Sequence, residues 1–149
     1  MVGDFLIAVN GRLRRTHTAQ GVPLIDDTYN ANPDSMRAAI DVLADQPAPR
    51  LMVMGDMGET GAQAEAFHRE VGEYAVSRAI EQVWAVGKDM KAAAQAGGVQ
   101  HWETIEALLT EHPQAPAGIA SILVKGSRFM KMERVVRAWA DVALLQGEH

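Results

Sequence analysis

Short apolar stretches of strand length alternate along this chain with stretches in which apolar residues recur every three or four positions. The clearest strand-length stretches are Leu51–Met54, Val83–Val86, Val99–Trp102 and Ile119–Val124. This alternation predicts a mostly parallel sheet with helices packed on its faces.

The beginning of the chain departs from this pattern, because Gly21 and Pro23 interrupt it. We expect residues 12–18 to pair with residues 22–26 as a hairpin, which places an antiparallel strand at the edge of the sheet. The complete expectation is an α/β fold: a Rossmann-like three-layer domain whose mostly parallel sheet of about six strands has one antiparallel edge strand.

Helix signals fill the intervals between the strands. Asn32 before Pro33 predicts a helix start, and that helix should end near Ala44. A second helix should begin near Ala62, and a third should follow Gly87. The last helix is predicted to place these apolar residues on its inner face: Phe129, Met132, Val136, Trp139 and Ala143.

Composition excludes several classes of function. A chain of 149 residues suffices for one domain with a real core. A net charge of −5 and a pI near 5.5 argue against a nucleic-acid partner. The absence of cysteine excludes disulfides and thiol catalysis, and the five histidines show no metal-ligand spacing, so we expect no metal site. An acidic amino terminus with only a short apolar run predicts neither signal peptide nor membrane insertion, and therefore a cytoplasmic protein.

Chemistry is expected in the loops that follow parallel strands, because these loops meet at one edge of the sheet. The most informative of them runs from Asp26 to Met36. Capping of a helix explains Asn32 in this segment, but it does not require Asp27, Tyr29 and Asn30 as well. A ligand site is the alternative to a capped turn.

Two familiar phosphate-binding motifs are missing. No Gly-Lys-Ser/Thr sequence occurs, so the chain has no Walker A loop. The glycines between Gly55 and Gly61 lie among acids, which would repel a pyrophosphate. The basic segment from Lys125 to Arg128 could be a solvated helix entry, yet cations before a helix favour an anion between them and the helix amides.

Several segments together resemble the carboxyl-terminal domain of the Mur ligases, and more narrowly the MurF type, which adds D-alanyl-D-alanine to UDP-MurNAc-tripeptide. The resemblance extends from about Gly11 to Val136. The segments that carry it are Gly11-Arg12-Leu13, Asp26-Asp27-Thr28-Tyr29-Asn30-Ala31-Asn32-Pro33 with Ser35-Met36, Gly55-Asp56-Met57-Gly58-Glu59-Thr60-Gly61, Val86-Gly87-Lys88 and Val124-Lys125-Gly126-Ser127-Arg128.

The resemblance implies a three-domain enzyme of the bacterial cytoplasm that makes peptidoglycan precursors and so serves cell shape and division. ATP and Mg²⁺ would activate the tripeptide carboxylate as an acyl phosphate, which the amine of D-alanyl-D-alanine then attacks. Residues 1–10 would be an interdomain linker or an artificial start, and residues 11–149 the third domain. The UDP-sugar domain and the central ATPase domain would be its partners, and the isolated chain should be inactive.

Site residues follow from the same resemblance. Arg12 is expected to contact the nucleotide, Asp27 the ribose hydroxyls and Tyr29 the adenine. Asn30 and Asn32 complete the ATP-binding set, and either of them could touch the ligand. A second set is expected to contact the peptide substrates: Lys125, Ser127, Arg128, Glu59 and His68. The last two would be secondary contacts to the peptide or in domain closure. His68 is expected on the polar flank of its helix.

Two other interpretations stay open at this point. The chain could be a stand-alone α/β module that binds a nucleoside or a partner without catalysis. It could also belong to another amide ligase such as folylpolyglutamate synthase, although the sequence Asn-Ala-Asn-Pro argues against that choice.

Overall fold

The computed structural model describes residues 12–58 and 60–140, and within them it shows a six-stranded sheet covered by helices on both faces. The strands are β1 (Arg14–His17), β2 (Pro23–Asp27), β3 (Arg50–Gly55), β4 (Gln82–Val86), β5 (Val99–Trp102) and β6 (Ser121–Lys125). The α-helices are α1 (Pro33–Ala44), α2 (Ala64–Ser77), α3 (Ile105–Glu111) and α4 (Glu133–Trp139). The described residues also contain three 3₁₀ segments, at Gly61–Gln63, Asp89–Gln95 and Arg128–Met130.

The strand order is β1-β2-β6-β3-β4-β5. β1 pairs with β2 in antiparallel fashion, and the other neighbours are parallel. The predicted fold class and the antiparallel edge hairpin are therefore confirmed. Because β6 is inserted between β2 and β3, the ends of these three strands form the centre of the edge where ligands are expected.

Both faces of the sheet are buried, as continuous apolar strands require. One face packs against α1, α2 and the segment Asp89–Gln95, with a core rich in methionine and aliphatic residues. The other face packs against α3 and α4 around three tryptophans, Trp84, Trp102 and Trp139. The ligand edge is thus held by a rigid, two-sided core.

The start of α1 forms as the sequence predicts. The side-chain oxygen of Asn32 accepts a hydrogen bond from the backbone N–H of Ser35 at 2.8 Å. In return, the Ser35 hydroxyl accepts a hydrogen bond from the backbone N–H of Asn32 at 3.0 Å. This reciprocal capping box, with Pro33 at the first helical position, fixes where the helix begins.

Two helix predictions need correction. The segment after Gly87 is a 3₁₀ helix instead of an α-helix. The final helix does not begin at Phe129, because Lys131 takes the left-handed conformation with φ of 55° and breaks the chain into a 3₁₀ turn and α4. Phe129 is consequently 66% exposed instead of buried, and Ala143 lies outside the described residues. No helix of the described ranges is both long and apolar enough to cross a bilayer.

Candidate functional site

A cavity of about 370 Å³ opens at the carboxyl end of β2, beside the start of α1. It gathers all five residues that the sequence predicted for nucleotide binding. The lining consists of Arg12, Leu13, Asp27, Tyr29, Asn30, Asn32, Ser35, Ala38, Ala39, Val42 and Lys125. Polar groups lie at one side and small apolar side chains of α1 at the other, an arrangement typical of small-molecule sites.

Asp27 lies at the end of β2, where its carboxylate is held from two directions. Lys125 Nζ donates to Asp27 Oδ2 at 2.8 Å, and the Leu13 amide donates to Oδ1 at 3.2 Å. Lys125 Nζ also donates to the backbone oxygen of Asn30 at 2.8 Å. These bonds fix the carboxylate, yet each of its oxygens keeps a second lone pair for a ligand.

Leu13 has a backbone conformation that is uncommon for its residue type. Its φ is 49°, in the left-handed region that residues other than glycine seldom adopt. The same residue donates its amide to Asp27 and lines the cavity. The turn before β1 is therefore shaped around the Asp27 carboxylate, and strained backbone of this kind is found at ligand sites.

Tyr29 lies beneath two arginine side chains. The guanidinium of Arg12 is 4.0 Å from the centre of the ring, and that of Arg128 is 4.7 Å from it. Both distances are within the range of cation–π attraction. Both arginines are exposed, and no ion pair among the described residues involves either of them. Their charges are available to an anionic ligand at the mouth of the cavity.

Asn30 and Asn32 both line the cavity, and both side-chain oxygens are already used locally. Asn30 Oδ1 accepts from the Ala31 amide at 2.9 Å, and Asn32 Oδ1 caps α1. The side-chain NH₂ group of each residue contacts no acceptor within residues 12–58 and 60–140. The structure thus places both asparagines at the cavity as hydrogen-bond donors.

The segment that follows β6 is divided between two surroundings. Lys125 and Arg128 contact the cavity residues Asp27 and Tyr29, whereas Ser127 is buried on the side of β3. The Ser127 amide donates to the backbone oxygen of Asp56 at 2.9 Å, and its hydroxyl has no hydrogen-bond partner among the described residues. The three residues, which sequence reasoning grouped around one anion, therefore contact different neighbours, and their shared role stays a prediction.

His68 is fully buried, so the prediction that it lies on the polar flank of α2 is wrong. The Met57 amide donates to its Nε2 at 2.9 Å, and its Nδ1 lies 2.6 Å from the backbone oxygen of Ala64. Since Nε2 accepts, Nδ1 must carry the proton that faces Ala64. The bond at Nε2 therefore holds the loop that follows β3 to α2, and the contact at Nδ1 fixes the ring within the helix. Glu59, the other secondary prediction, lies outside the described residues.

Asp56 is a buried acid in the loop that follows β3. Its carboxylate accepts from the Asp89 amide at 3.2 Å and from the Met90 amide at 2.8 Å. Burial raises its pKa above the ordinary value, and the two amide donors oppose that rise. Gly87 fits beside it only because glycine has no side chain: its φ is 123°, and a Cβ there would approach Asp56 Oδ1 to 2.3 Å.

Asp56, His68 and Asp89 place potential ligand atoms within 4.8 Å of one another. Among these atoms, however, both oxygens of Asp56 and both nitrogens of His68 are engaged by backbone groups. A metal ion could bind His68 only by displacing one of its hydrogen bonds, because each ring nitrogen has a single position for a partner. The cluster therefore has the chemistry of a structural network, and the cavity at β2 is the better candidate for ligand binding.

Comparison with known proteins identifies relatives that match most of this chain, including the loops described above. A family model described as Mur ligase, glutamate ligase domain, matches residues 11–128. The chain is 47% identical over 136 residues to the UDP-N-acetylmuramoyl-tripeptide–D-alanyl-D-alanine ligase of Escherichia coli (strain K12), covering 89% of this chain and 30% of that protein. The ligase of the same name from Haemophilus influenzae is 38% identical over 139 residues, with the same two coverages of 89% and 30%.

Comparison with solved structures gives the same result as comparison with sequences. A crystal structure of MurF from Acinetobacter baumannii superimposes with a TM-score of 0.74 at 35% sequence identity, covering 87% of this chain and 30% of that one. The chain therefore spans about 30% of the length of the relatives that it matches.

Proposed function

Because the chain belongs to the Mur ligase family, as its glutamate ligase domain, we propose that it is the carboxyl-terminal domain of an ATP-dependent ligase that adds D-alanyl-D-alanine to UDP-MurNAc-tripeptide. The observation that carries the nucleotide role is the cavity at β2, which gathers Arg12, Asp27, Tyr29, Asn30 and Asn32. The proposed location is the cytoplasm, where precursors of peptidoglycan are made.

The nucleoside fits the groups that line this cavity. The Asp27 carboxylate can only accept hydrogen bonds, which suits ribose hydroxyl groups. Tyr29 offers a flat ring for the adenine, and Arg12 lies close enough to that ring to reach phosphate oxygens beside it. The amide groups of Asn30 and Asn32 are donors at the rim. Magnesium would act in the whole enzyme, and we assign it no ligand among the described residues.

In the proposed reaction, ATP converts the terminal carboxylate of the tripeptide into an acyl phosphate, and the amine of D-alanyl-D-alanine displaces the phosphate. We assign no general base for this step to the described residues. The domain would instead close over ligands held by the other two domains, exclude water that could hydrolyse the acyl phosphate, and align the amine. The UDP-sugar and ATPase domains are thus its proposed partners.

The peptide half of the site is proposed to lie beyond Tyr29. Arg128 is exposed and free of acidic partners among the described residues, so it suits the carboxylate of a peptide substrate. Ser127 has an unused hydroxyl at the neighbouring strand end. Glu59 stays a prediction for the same half, whereas the buried ring of His68 is proposed to shape the loop without touching the substrate.

The proposal is tested first by titrating ADP into the ¹⁵N-labelled 149-residue chain. We expect weak binding, because the chain lacks a phosphate loop, with amide shifts concentrated at residues 12–13 and 27–32. Asp27→Asn should weaken this binding, while Asp34→Asn, in the exposed first turn of α1, should leave it unchanged. Amide shifts spread over other parts of the chain would contradict the assignment. A dissociation constant for ADP below micromolar would also contradict it.

The second test is enzymatic. The purified chain should release no phosphate from ATP when it is given UDP-MurNAc-tripeptide and D-alanyl-D-alanine. The same assay on a polypeptide that also contains the UDP-sugar and ATPase domains should show ligation that Asp27→Asn reduces. Ligation by the 149-residue chain alone would overturn the proposed division of labour.

A further inference from the structure

We propose that Lys125 is a positioning residue for Asp27, and that it aims this carboxylate so that the cavity selects a sugar with vicinal hydroxyl groups. The proposal rests on the proposed function, since it takes a nucleotide as the ligand of the cavity. It moves Lys125 from the peptide half of the site, where the sequence placed it, to the nucleoside half.

The geometry of the sheet brings the two residues together. Asp27 and Lys125 are register partners at the ends of the parallel strands β2 and β6. Their side chains are 11% and 4% exposed, and the ammonium lies 2.8 Å from the carboxylate. By comparison, the side chains of the ion pair between Arg50 and Glu81 are 12% and 38% exposed. Burying two charges is costly, and their attraction offsets this cost only where the geometry and the remaining hydrogen bonds are well satisfied.

Lys125 is poorly placed to bind an anionic ligand directly. Of its three N–H donors, one is given to Asp27 and another to the backbone oxygen of Asn30. A substrate carboxylate would have to enter a buried position and compete with Asp27. Arg12 and Arg128, which are exposed beside Tyr29, would meet an incoming anion first.

The remaining capacity of Asp27 explains the selectivity. Leu13 and Lys125 each take a lone pair on a different oxygen, so the carboxylate cannot rotate freely, and a lone pair on each oxygen is left for the ligand. Two adjacent hydroxyl groups can donate to these two oxygens. A sugar that lacks them leaves a charged acceptor without a partner, and a site built to bind hydroxyl groups rejects such an analogue strongly.

The first experiment needs no ligand. Amide hydrogen exchange at Leu13 reports whether Asp27 Oδ1 is held in place. Lys125→Met should increase the exchange rate of the Leu13 amide at least tenfold, while Lys91→Met, an exposed lysine outside the cavity, should leave it unchanged. Unchanged protection of Leu13 in a folded Lys125→Met chain would overturn the positioning role.

The second experiment compares ADP with 2′,3′-dideoxy-ADP by NMR titration of the same chains. In the unsubstituted chain ADP should bind at least tenfold more tightly than the dideoxy analogue. Lys125→Met should weaken ADP at least fivefold and the dideoxy analogue less than twofold. Equal weakening of both ligands would mean that Lys125 acts on the phosphates or on the fold, and would overturn the proposal.

If Lys125→Met does not fold, the proposal can still be tested with the doubly substituted chain Asp27→Asn/Lys125→Met. This chain buries no unpaired charge at the two positions. Its affinity for ADP should equal that of Asp27→Asn alone, since Lys125 is proposed to act only through Asp27. A further loss in the double variant would overturn the proposal. If the unsubstituted chain shows no ADP binding while Leu13 still depends on Lys125, positioning is supported and the proposed nucleotide function fails.

Discussion

The loops after β2 and after β3 contain the same kinds of polar residue, yet the structure uses them in different ways. After β2, the polar groups around Asp27 and Tyr29 open into a cavity and keep hydrogen-bonding capacity that no described residue uses. After β3, Asp56 and His68 are buried, and their polar atoms are taken by backbone amides and carbonyls. Open space beside the polar groups, more than residue type, distinguishes the candidate ligand site from the structural network.

This difference also separates two ways of fixing a loop. The β2 loop is held by charges from a neighbouring strand, so its geometry depends on a buried ion pair. The β3 loop is held by hydrogen bonds between side chains and backbone groups, which link it to α2 and to the Asp89–Gln95 segment. Substitutions at the two loops should therefore differ in how much they lower the free energy of unfolding and in how much they weaken ligand binding.

The largest effect is expected from Lys125→Met. Removing one partner of a buried ion pair leaves a charge without compensation, which typically costs about 3–5 kcal/mol. We expect the free energy of unfolding, measured by urea denaturation, to fall by about that amount. Asp27→Asn/Lys125→Met should recover much of the loss, because it removes both charges. A loss below about 1 kcal/mol in Lys125→Met would show that the two loops are not held differently.

His68→Ala is expected to cost somewhat less, about 2–3 kcal/mol, because it leaves the Met57 amide without its acceptor and opens a small cavity. ADP binding should change little, since His68 does not line the cavity at β2. Urea denaturation and ADP titration measure the two quantities. The control is His17→Ala, an exposed histidine on β1, which should change neither. A His68→Ala chain of normal stability that fails to bind ADP would reverse the roles given to the two loops.

Much of the cavity could be predicted from the sequence because its residues are close together in the chain. Asp27, Tyr29, Asn30 and Asn32 follow one strand and begin one helix, and local rules place such residues at the strand end. Lys125 is 98 residues from Asp27, and their contact depends on β6 lying between β2 and β3. No periodicity in the sequence specifies that strand order.

His68 and Phe129 were both predicted in the wrong surroundings, and the physical reason differs between them. His68 shares the inward stripe of α2 with Val71 and Ala75, at spacings of three and four, so the helical period could have indicated its burial. Its polarity argued for the surface and was misleading, because the ring finds backbone partners. Phe129 fits the period of the last helix, but the left-handed Lys131 ends that register, and a non-glycine residue gives no sequence signal for such a break.

Asn32→Ala should have a moderate effect that separates capping from ligand binding. Loss of an N-cap typically costs about 1 kcal/mol, and the matched control is Thr104→Ala, because Thr104 caps α3 far from the cavity. Thermal denaturation should show similar losses for both variants. Only Asn32→Ala should weaken ADP, since only Asn32 lines the cavity. Equal ADP affinities in the two variants would limit Asn32 to capping and leave Asn30 as the contacting amide.

The smallest effect is expected from pH, because two opposing influences act on Asp56. Burial raises its pKa above the ordinary value of 3.8, while the Asp89 and Met90 amides favour the charged carboxylate. An acid whose pKa is raised in the folded state binds its proton more tightly there than in the unfolded chain. Its contribution to stability is therefore fully present below pH 3.8 and is lost as the pH rises through the folded pKa.

Carbon-detected NMR of the aspartate carboxyl groups measures the folded pKa of Asp56 directly, and urea denaturation across the same pH range measures its effect on stability. Burial also raises the pKa of Asp26, so the unsubstituted chain contains both contributions. Asp56→Asn removes only one of them, and the slope of stability against pH, not its absolute value, is the quantity to compare. A steeper loss in the unsubstituted chain is expected. If instead Asp56 titrates below 3.8, its amide donors outweigh burial, and the charged carboxylate stabilises the folded chain.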